Sequence, residues 1–255
     1  MPSFIKNNNH GFSLVELVIG LAITLILLGV ATRIFTVQQD AYTLQEHTTD
    51  LHQNIRTSMD ALSREIRMAG YMVSGTSTIK VSGTSTISFI GDIDSDIFTA
   101  LASNASTGTT TIFVNLTPDS DYEIANTDCV YISDELHTEI VPVNSAATHL
   151  TGEPDPIYLK SGLLYSYTAG SATIRTIERV TFSHNAANVR LTRNNQPLAE
   201  NIEAVLFTYG INAQTGATNT VNISITGRTA RKDLNYPGDG YRRGTLTSTI
   251  HLRNQ

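Results

Sequence analysis

Gly11-Phe12-Ser13-Leu14-Val15-Glu16-Leu17 opens an apolar run of 20 residues that reaches from Phe12 to Ala31. About 20 apolar residues, each rising 1.5 Å in a helix, span the hydrocarbon of a bilayer. One carboxylate, Glu16, sits inside the run, and no basic residue shares the segment with it. A lone charge at membrane depth costs roughly 2.5–3.5 kcal/mol on insertion scales, so it has a function and a partner elsewhere. That partner must come from another molecule or from a newly made N-terminus. A secretory signal peptide places its small-residue cleavage site after the apolar region. Here the small residue, Gly11, precedes the run, and the leader Met1–Gly11 carries Lys6 and no acidic residue. Cutting after Gly11 would remove the leader and keep the helix.

This order of parts resembles the class III signal of type IV pilins and type II secretion pseudopilins. The resemblance implies that a prepilin peptidase cuts between Gly11 and Phe12 and then N-methylates Phe12. It also implies that Glu16 pairs with the free amine of a neighbouring subunit during assembly. The competing reading is an ordinary single-span anchor with a chance glutamate.

Beyond Ala31 the pattern becomes one-sided. Leu44, Leu51, Ile55, Met59, Leu62 and Ile66 are spaced by 7, 4, 4, 3 and 4, which is one face of a helix. No Pro or Gly interrupts Val30 to Ala69, and Gly70 follows a last turn holding Arg64 and Arg67. A glycine just past a basic last turn is a helix stop. The sequence thus predicts one helix from Phe12 to Ala69, on the order of 90 Å long at the usual rise. Such a helix is embedded at one end and packed on a head at the other. In the resembling family the position of Arg33 commonly holds a helix-kinking proline, which is absent here.

From Tyr71 the period becomes two. Strands are expected at Ile87–Ile90, Thr111–Leu116, Cys129–Ser133, Glu139–Val143, Ile157–Tyr167 and Thr173–Phe182. Further ones are expected at Asn188–Arg193, Ile202–Tyr209, Val221–Thr226 and Thr245–Leu252. Asp92–Gly108 reads as a surface loop, and Asn194-Asn195-Gln196-Pro197 reads as a turn. Strands joined without long helices make a mostly antiparallel sheet. The fold class is therefore α+β: a cleaved leader at 1–11, a helix at 12–70 with its membrane part at 12–31, and a β-rich head at 71–255.

Two further stretches narrow the resemblance. Arg64-Glu65-Ile66-Arg67-Met68-Ala69-Gly70-Tyr71 is similar to the helix end of PilW-type minor pilins. Val189-Arg190-Leu191-Thr192-Arg193, Leu198-Ala199-Glu200-Asn201-Ile202-Glu203 and Leu252-Arg253-Asn254 resemble the same group and the J-type pseudopilins. The stretch from Gly75 to Leu164 resembles no family.

The chain of 255 residues carries 17 Lys+Arg against 23 Asp+Glu, a net charge of −6, which argues against a dedicated nucleic-acid binder. Its single cysteine, Cys129, makes an internal disulfide impossible, so the fold rests on pairing and packing. Major pilins often close a C-terminal loop with a disulfide, and this chain departs from that pattern. Cys129 lies in an apolar strand-like run and reads as a buried, inert thiol.

Gly91-Asp92-Ile93-Asp94-Ser95-Asp96 places carboxylates at alternate positions, the beginning of a calcium loop. The glycine and the closing glutamate of an EF-hand are missing, and a solvated turn after a strand is the competing reading. Gly227-Arg228-Thr229-Ala230-Arg231-Lys232 and Tyr241-Arg242-Arg243 form a basic cluster. It reads either as an anion-binding patch or as a charged hairpin tip that keeps an edge soluble. The seven histidines form no paired-histidine metal motif, and neither a nucleophile elbow nor a phosphate loop is present.

Together these readings imply an assembly subunit rather than an enzyme, with no cofactor unless calcium occupies the aspartate triplet. The implied partners are a prepilin peptidase, other major and minor pilins, and the inner membrane. The alternatives are a pseudopilin of type II secretion and a surface-binding adhesin.

Overall fold

A computed structural model describes residues 13–73, 79–81, 83–93, 97–116, 128–146, 154–211, 218–233 and 235–252. The chain divides into two units, Met1–Thr49 and Asp50–Gln255. Helix α1 covers 54 residues, Leu14–Arg67, two residues inside the expected bounds at each end. Its first hydrogen bond runs from the Leu17 N–H to the Ser13 carbonyl at 3.1 Å, which puts a serine at the favoured N-cap position. At the other end the chain tightens: Met68 donates to Glu65 and Ala69 to Ile66. Gly70 then takes φ +75°, as a C′ glycine does.

In the second unit the strands are β1 (Ile79–Val81), β2 (Thr86–Gly91), β3 (Phe98–Ala100), β4 (Thr111–Val114) and β5 (Cys129–Ser133). They continue as β6 (Thr138–Ala146), β7 (Asp155–Leu159), β8 (Thr173–Asn185), β9 (Arg190–Arg193) and β10 (Gln196–Glu200). The last three are β11 (Ile202–Ile211), β12 (Thr218–Arg228) and β13 (Arg243–His251). Every pairing is antiparallel. One sheet has the order β1-β2-β8-β5-β6-β7-β4, with β3 and β9 also on β8 and β10 on β9; the other is β11-β12-β13. β8 is the spine. Its first half pairs with β5 and β3, and its second half pairs with β2 and β9.

Of the expected helical stripe, the five residues from Leu51 to Ile66 are buried and Leu44 is half-buried. Leu51, Ile55, Met59, Leu62 and Ile66 join one core with Phe89, Phe182 and Leu191 of the larger sheet and Phe207, Ile223 and Ile225 of the smaller. Burying an aliphatic side chain contributes about 1.5–3 kcal/mol, so these five helical residues supply on the order of 10 kcal/mol before ordering entropy. A second core lies among β4, β5, β6, β7 and the start of β8, built on Val130, Ile132, Val141, Val143 and Ile157.

Two features pin the helix end. Glu65 is buried and accepts from Arg193 Nε at 2.8 and 3.0 Å. Removing one partner of a buried pair leaves an uncompensated charge, which is why the stripe tolerates a carboxylate there. The Gly70 N–H donates to the Ile90 carbonyl at 2.8 Å, and Gly91 lies against the Met68 backbone.

Several expectations need correction. Asp92–Gly108 is not a surface loop. It contains β3, and Ile97, Leu101 and Ala105 are buried, with Leu101 and Ala105 in the second core, while Phe98 stays exposed. The strand expected at Ile157–Tyr167 stops at Leu159. Beyond it the chain keeps only an isolated bridge at Tyr167, and Leu163 and Tyr167 fill the core from irregular backbone. The turn at Asn194–Pro197 is confined to Asn194 and Asn195, with φ +47° and +69°. Two consecutive left-handed residues make a two-residue hairpin, so Gln196 and Pro197 already belong to β10.

A Cβ on Gly91 would meet the Met68 carbonyl oxygen at 2.6 Å, and backbone cannot swing aside. Gly91→Ala is therefore expected to destabilise the head by about 1–3 kcal/mol, the usual cost of overpacking. Denaturant unfolding of the detergent-solubilised chain checks this; an unchanged midpoint would show that the helix end is free to shift.

Candidate functional site

The first unit presents its site as a surface. From Leu14 to Val37 every described large apolar side chain is exposed, at 53% or more. An 18-residue window of α1 reaches a mean hydropathy of 2.6 with none of it buried, so the helix is long and apolar enough to cross a membrane. Exposed apolar surface of this extent marks a lipid or protein contact. The hydroxyls in the helix are satisfied internally. Thr24 donates to the Gly20 carbonyl and Thr32 to the Leu28 carbonyl, both at 2.8 Å, and Thr36 donates to Arg33 at 2.9 Å. Such back-bonding lets polar side chains sit in hydrocarbon without an orphaned donor.

Glu16 lies in the first turn of α1 and is exposed. The helix dipole favours an anion there. No ion pair to it exists among the described residues. Gly11 and Phe12, the expected processing pair, lie outside the described residues.

In the head, the structure separates the remaining candidates. Asp92 is buried and ion-paired with Arg175 at 3.2 Å, and Arg175 in turn lies 4.5 Å over the Phe98 ring. Asp94 and Asp96 lie outside the described residues. Among the described residues no three His, Cys, Asp or Glu side chains gather as a metal-binding group. Cys129 is buried, accepts from Arg179 Nη2 at 3.9 Å, and has its thiol pKa pushed up by burial.

The basic cluster is not a free cationic patch. Arg228 and Lys232 lie 4.3 and 5.5 Å from the centroid of the Tyr241 ring, and Arg242 lies 5.2 Å from that of Tyr236. Arg242 is also paired with Asp233 at 2.9 Å, and Arg243 bridges Glu203 and Asp239. These contacts make a clasp that closes the β12–β13 connection. Hydrogen bonds from Arg243, then from the Tyr241 N–H, hold the Asp239 carboxyl far below the usual range. Arg243 likewise lowers Glu203, and Arg242 followed by the Asn235 N–H lowers Asp233.

Sequence reasoning missed one feature of the head. A groove of about 770 Å³ runs between the end of α1 and β13, with Arg64 and Arg67 on its helix side and Ser248 on its strand side. The only sequence signal was the pair of arginines in the last turn, which the helix dipole alone explained.

With this geometry in place, comparison with known proteins is informative at one end of the chain. Residues 6–32 match the family model described as the prokaryotic N-terminal methylation motif. The segment is a prepilin-type motif. It supports a type IV pilin-like protein anchored by its N-terminal helix, and it covers none of the head. No curated protein and no solved structure matches the chain.

The arginine clasp has a pH signature. All three carboxylates sit below their unfolded values, so their contribution is complete above about pH 5 and is lost as acid protonates them. Arg243→Ala is expected to lower head stability at pH 7, and the deficit should narrow between pH 4 and pH 2. Equal deficits at pH 7 and pH 2 in denaturant titrations would assign the loss to packing instead of charge.

Proposed function

We propose that this chain is a minor pilin: a structural subunit processed by prepilin peptidase and incorporated into, or priming, a type IV pilus. The observation that carries the reading is the methylation motif at residues 6–32 leading into an exposed apolar helix with one uncompensated carboxylate, Glu16. The leader stays in the cytoplasm, the helix holds the chain in the inner membrane, and the head lies outside until the subunit leaves for the filament and the cell surface. Cleavage after Gly11 creates an amine on Phe12. Glu16 then meets the amine of a neighbouring subunit. Two opposite charges in an apolar surrounding attract far more strongly than in water, and each alone is costly. Axial stagger between subunits is set by that pairing.

The same motif serves a pseudopilin of type II secretion, and the discriminating observation is which filament the chain enters. An adhesin would add ligand recognition by the head to the same assembly chemistry.

Two outcomes are expected. Mass spectrometry of native membranes should find a mature chain beginning at N-methylated Phe12; a chain retaining Met1–Gly11 would sink the processing assignment. Glu16→Gln should leave membrane insertion, cleavage and the head fold intact, because it removes an intramembrane charge. It should reduce the amount in sheared filaments at least tenfold, about 1.4 kcal/mol in the docking equilibrium. Glu16→Lys should be worse, since it faces a like charge. Equal amounts of wild type and Glu16→Gln in filaments would show that the carboxylate is not an assembly contact.

A further inference from the structure

We infer that the open edge of β13, with the groove beside it, is a docking site for an extended acidic segment of another protein, which adds as a fourth strand to the β11-β12-β13 sheet. The inference uses the head alone and does not rest on the pilus reading.

The direction of the backbone groups follows from the ladder. Thr229 N donates to Arg242 O and Leu252 N donates to Asn219 O, both at 2.9 Å, just beyond the two ends of the β12–β13 pairing. In an antiparallel pair, hydrogen-bonded and non-bonded positions alternate. Gly244, Leu246, Ser248 and Ile250 therefore bond inward to β12. Thr245, Thr247 and Thr249 direct their N–H and C=O groups outward. The opposite edge of the sheet obeys the same parity and is occupied: Phe207 N donates to Thr84 O at 2.7 Å. No described residue pairs with the outer edge of β13.

Natural edges are blunted by Lys, Pro, inward charges or bulges. The stretch Gly244-Thr245-Leu246-Thr247-Ser248-Thr249-Ile250 has no charged residue and no proline, and its register with β12 is unbroken. Leu246 is 36% exposed although its cross-strand partner Ile225 is fully buried on the same face. A strand laid beside β13 would cover it.

The groove supplies the rest. It is bounded by Met59, Arg64, Arg67, Met68 and Tyr71 on one side and Ser248 on the other. A free strand edge facing a helix across a groove is the arrangement that receives extended peptides by strand addition. Tyr71, 42% exposed, offers an apolar end wall. Arg64 and Arg67 are exposed and have no ion pair among the described residues, and the one acid in the lining is Asp60. Successive side chains on one face of a strand lie about 7 Å apart. Acidic residues at alternate positions of the incoming strand would face the two arginines.

The test uses the full-length chain in a nonionic detergent and a fluorescein-labelled nonapeptide of alternating valine and glutamate. Controls replace its glutamates by lysine or its central residue by proline. Saturable binding of the glutamate peptide, at least tenfold tighter than either control, is expected. Thr247→Pro removes an outward N–H without touching the β12 ladder, and it should abolish binding while leaving the unfolding midpoint in place. Arg64→Glu with Arg67→Glu should reverse the preference between the glutamate and lysine peptides. If Thr247→Pro does not fold, slowed amide exchange at Thr245, Thr247 and Thr249 on adding the peptide to wild type serves instead. Absent or charge-independent binding overturns the proposal, as does full binding by folded Thr247→Pro. Dimerisation of the chain that Thr247→Pro removes would overturn the acidic occupant and place a second copy on the edge.

Discussion

The apolar stripe Leu51-Ile55-Met59-Leu62-Ile66 is the contact on which the head depends. It lies in the core that the two sheets share, while β4 to β7 and the start of β8 enclose a second core of their own. With one cysteine there is no covalent staple, and the denatured chain is not constrained by a cross-link. Stability must then come from burial and from getting the helix into register. Glu65 with Arg193, and the glycine contact at Gly91, fix that register at the end where the helix meets β2 and β9. A carboxylate in an apolar stripe is poor for burial alone. Its value here is directional, because only one placement of the helix satisfies it.

One helix carries two chemistries by changing its periodicity. Up to Val37 its large apolar side chains lie on every side, and its threonines return their hydroxyls to their own backbone. That is a surface with nothing left to offer except dispersion and one charge. Glu16 therefore holds the specificity of the segment: apolar helices slide against one another with little preference, whereas a charge in hydrocarbon accepts few positions. Past residue 50 the same helix is polar on one side, and specificity passes to packing.

The head treats its charges in two ways. Asp92, Glu65, Asp233, Asp239 and Glu203 each face an arginine, and two of those arginines, Arg175 and Arg242, also lie on aromatic rings. These pairs close connections and hold strands, and the neutralised arginines are no longer available to an external anion. Arg64 and Arg67 are handled differently, standing exposed beside an edge strand with no ion pair among the described residues. The contrast between satisfied and unsatisfied cations on one small domain is what separates scaffold from candidate interface.

Reading the sequence located the long helix, its stop at Gly70, its buried stripe and most of the β strands, because each is written in local periodicity or in a residue with a restricted backbone. The motif at Gly11–Glu16 was legible for the same reason: order and spacing along the chain carry the signal. Local pattern was misleading where burial came from elsewhere. Ile97, Leu101 and Ala105 sit in a polar stretch and become core only because β8 and its neighbours cover them. Partner choice was invisible as well. Nothing in the chain says that Arg193 serves Glu65, that Asp92 belongs to Arg175, or that Arg242 and Arg243 are spent on a clasp. The open edge of β13 beside the end of α1 joins residues almost two hundred positions apart. Sequence determines which segments can be helix, strand or membrane anchor; the tertiary structure decides which charges find partners, because compensation depends on distance in space and not on distance along the chain.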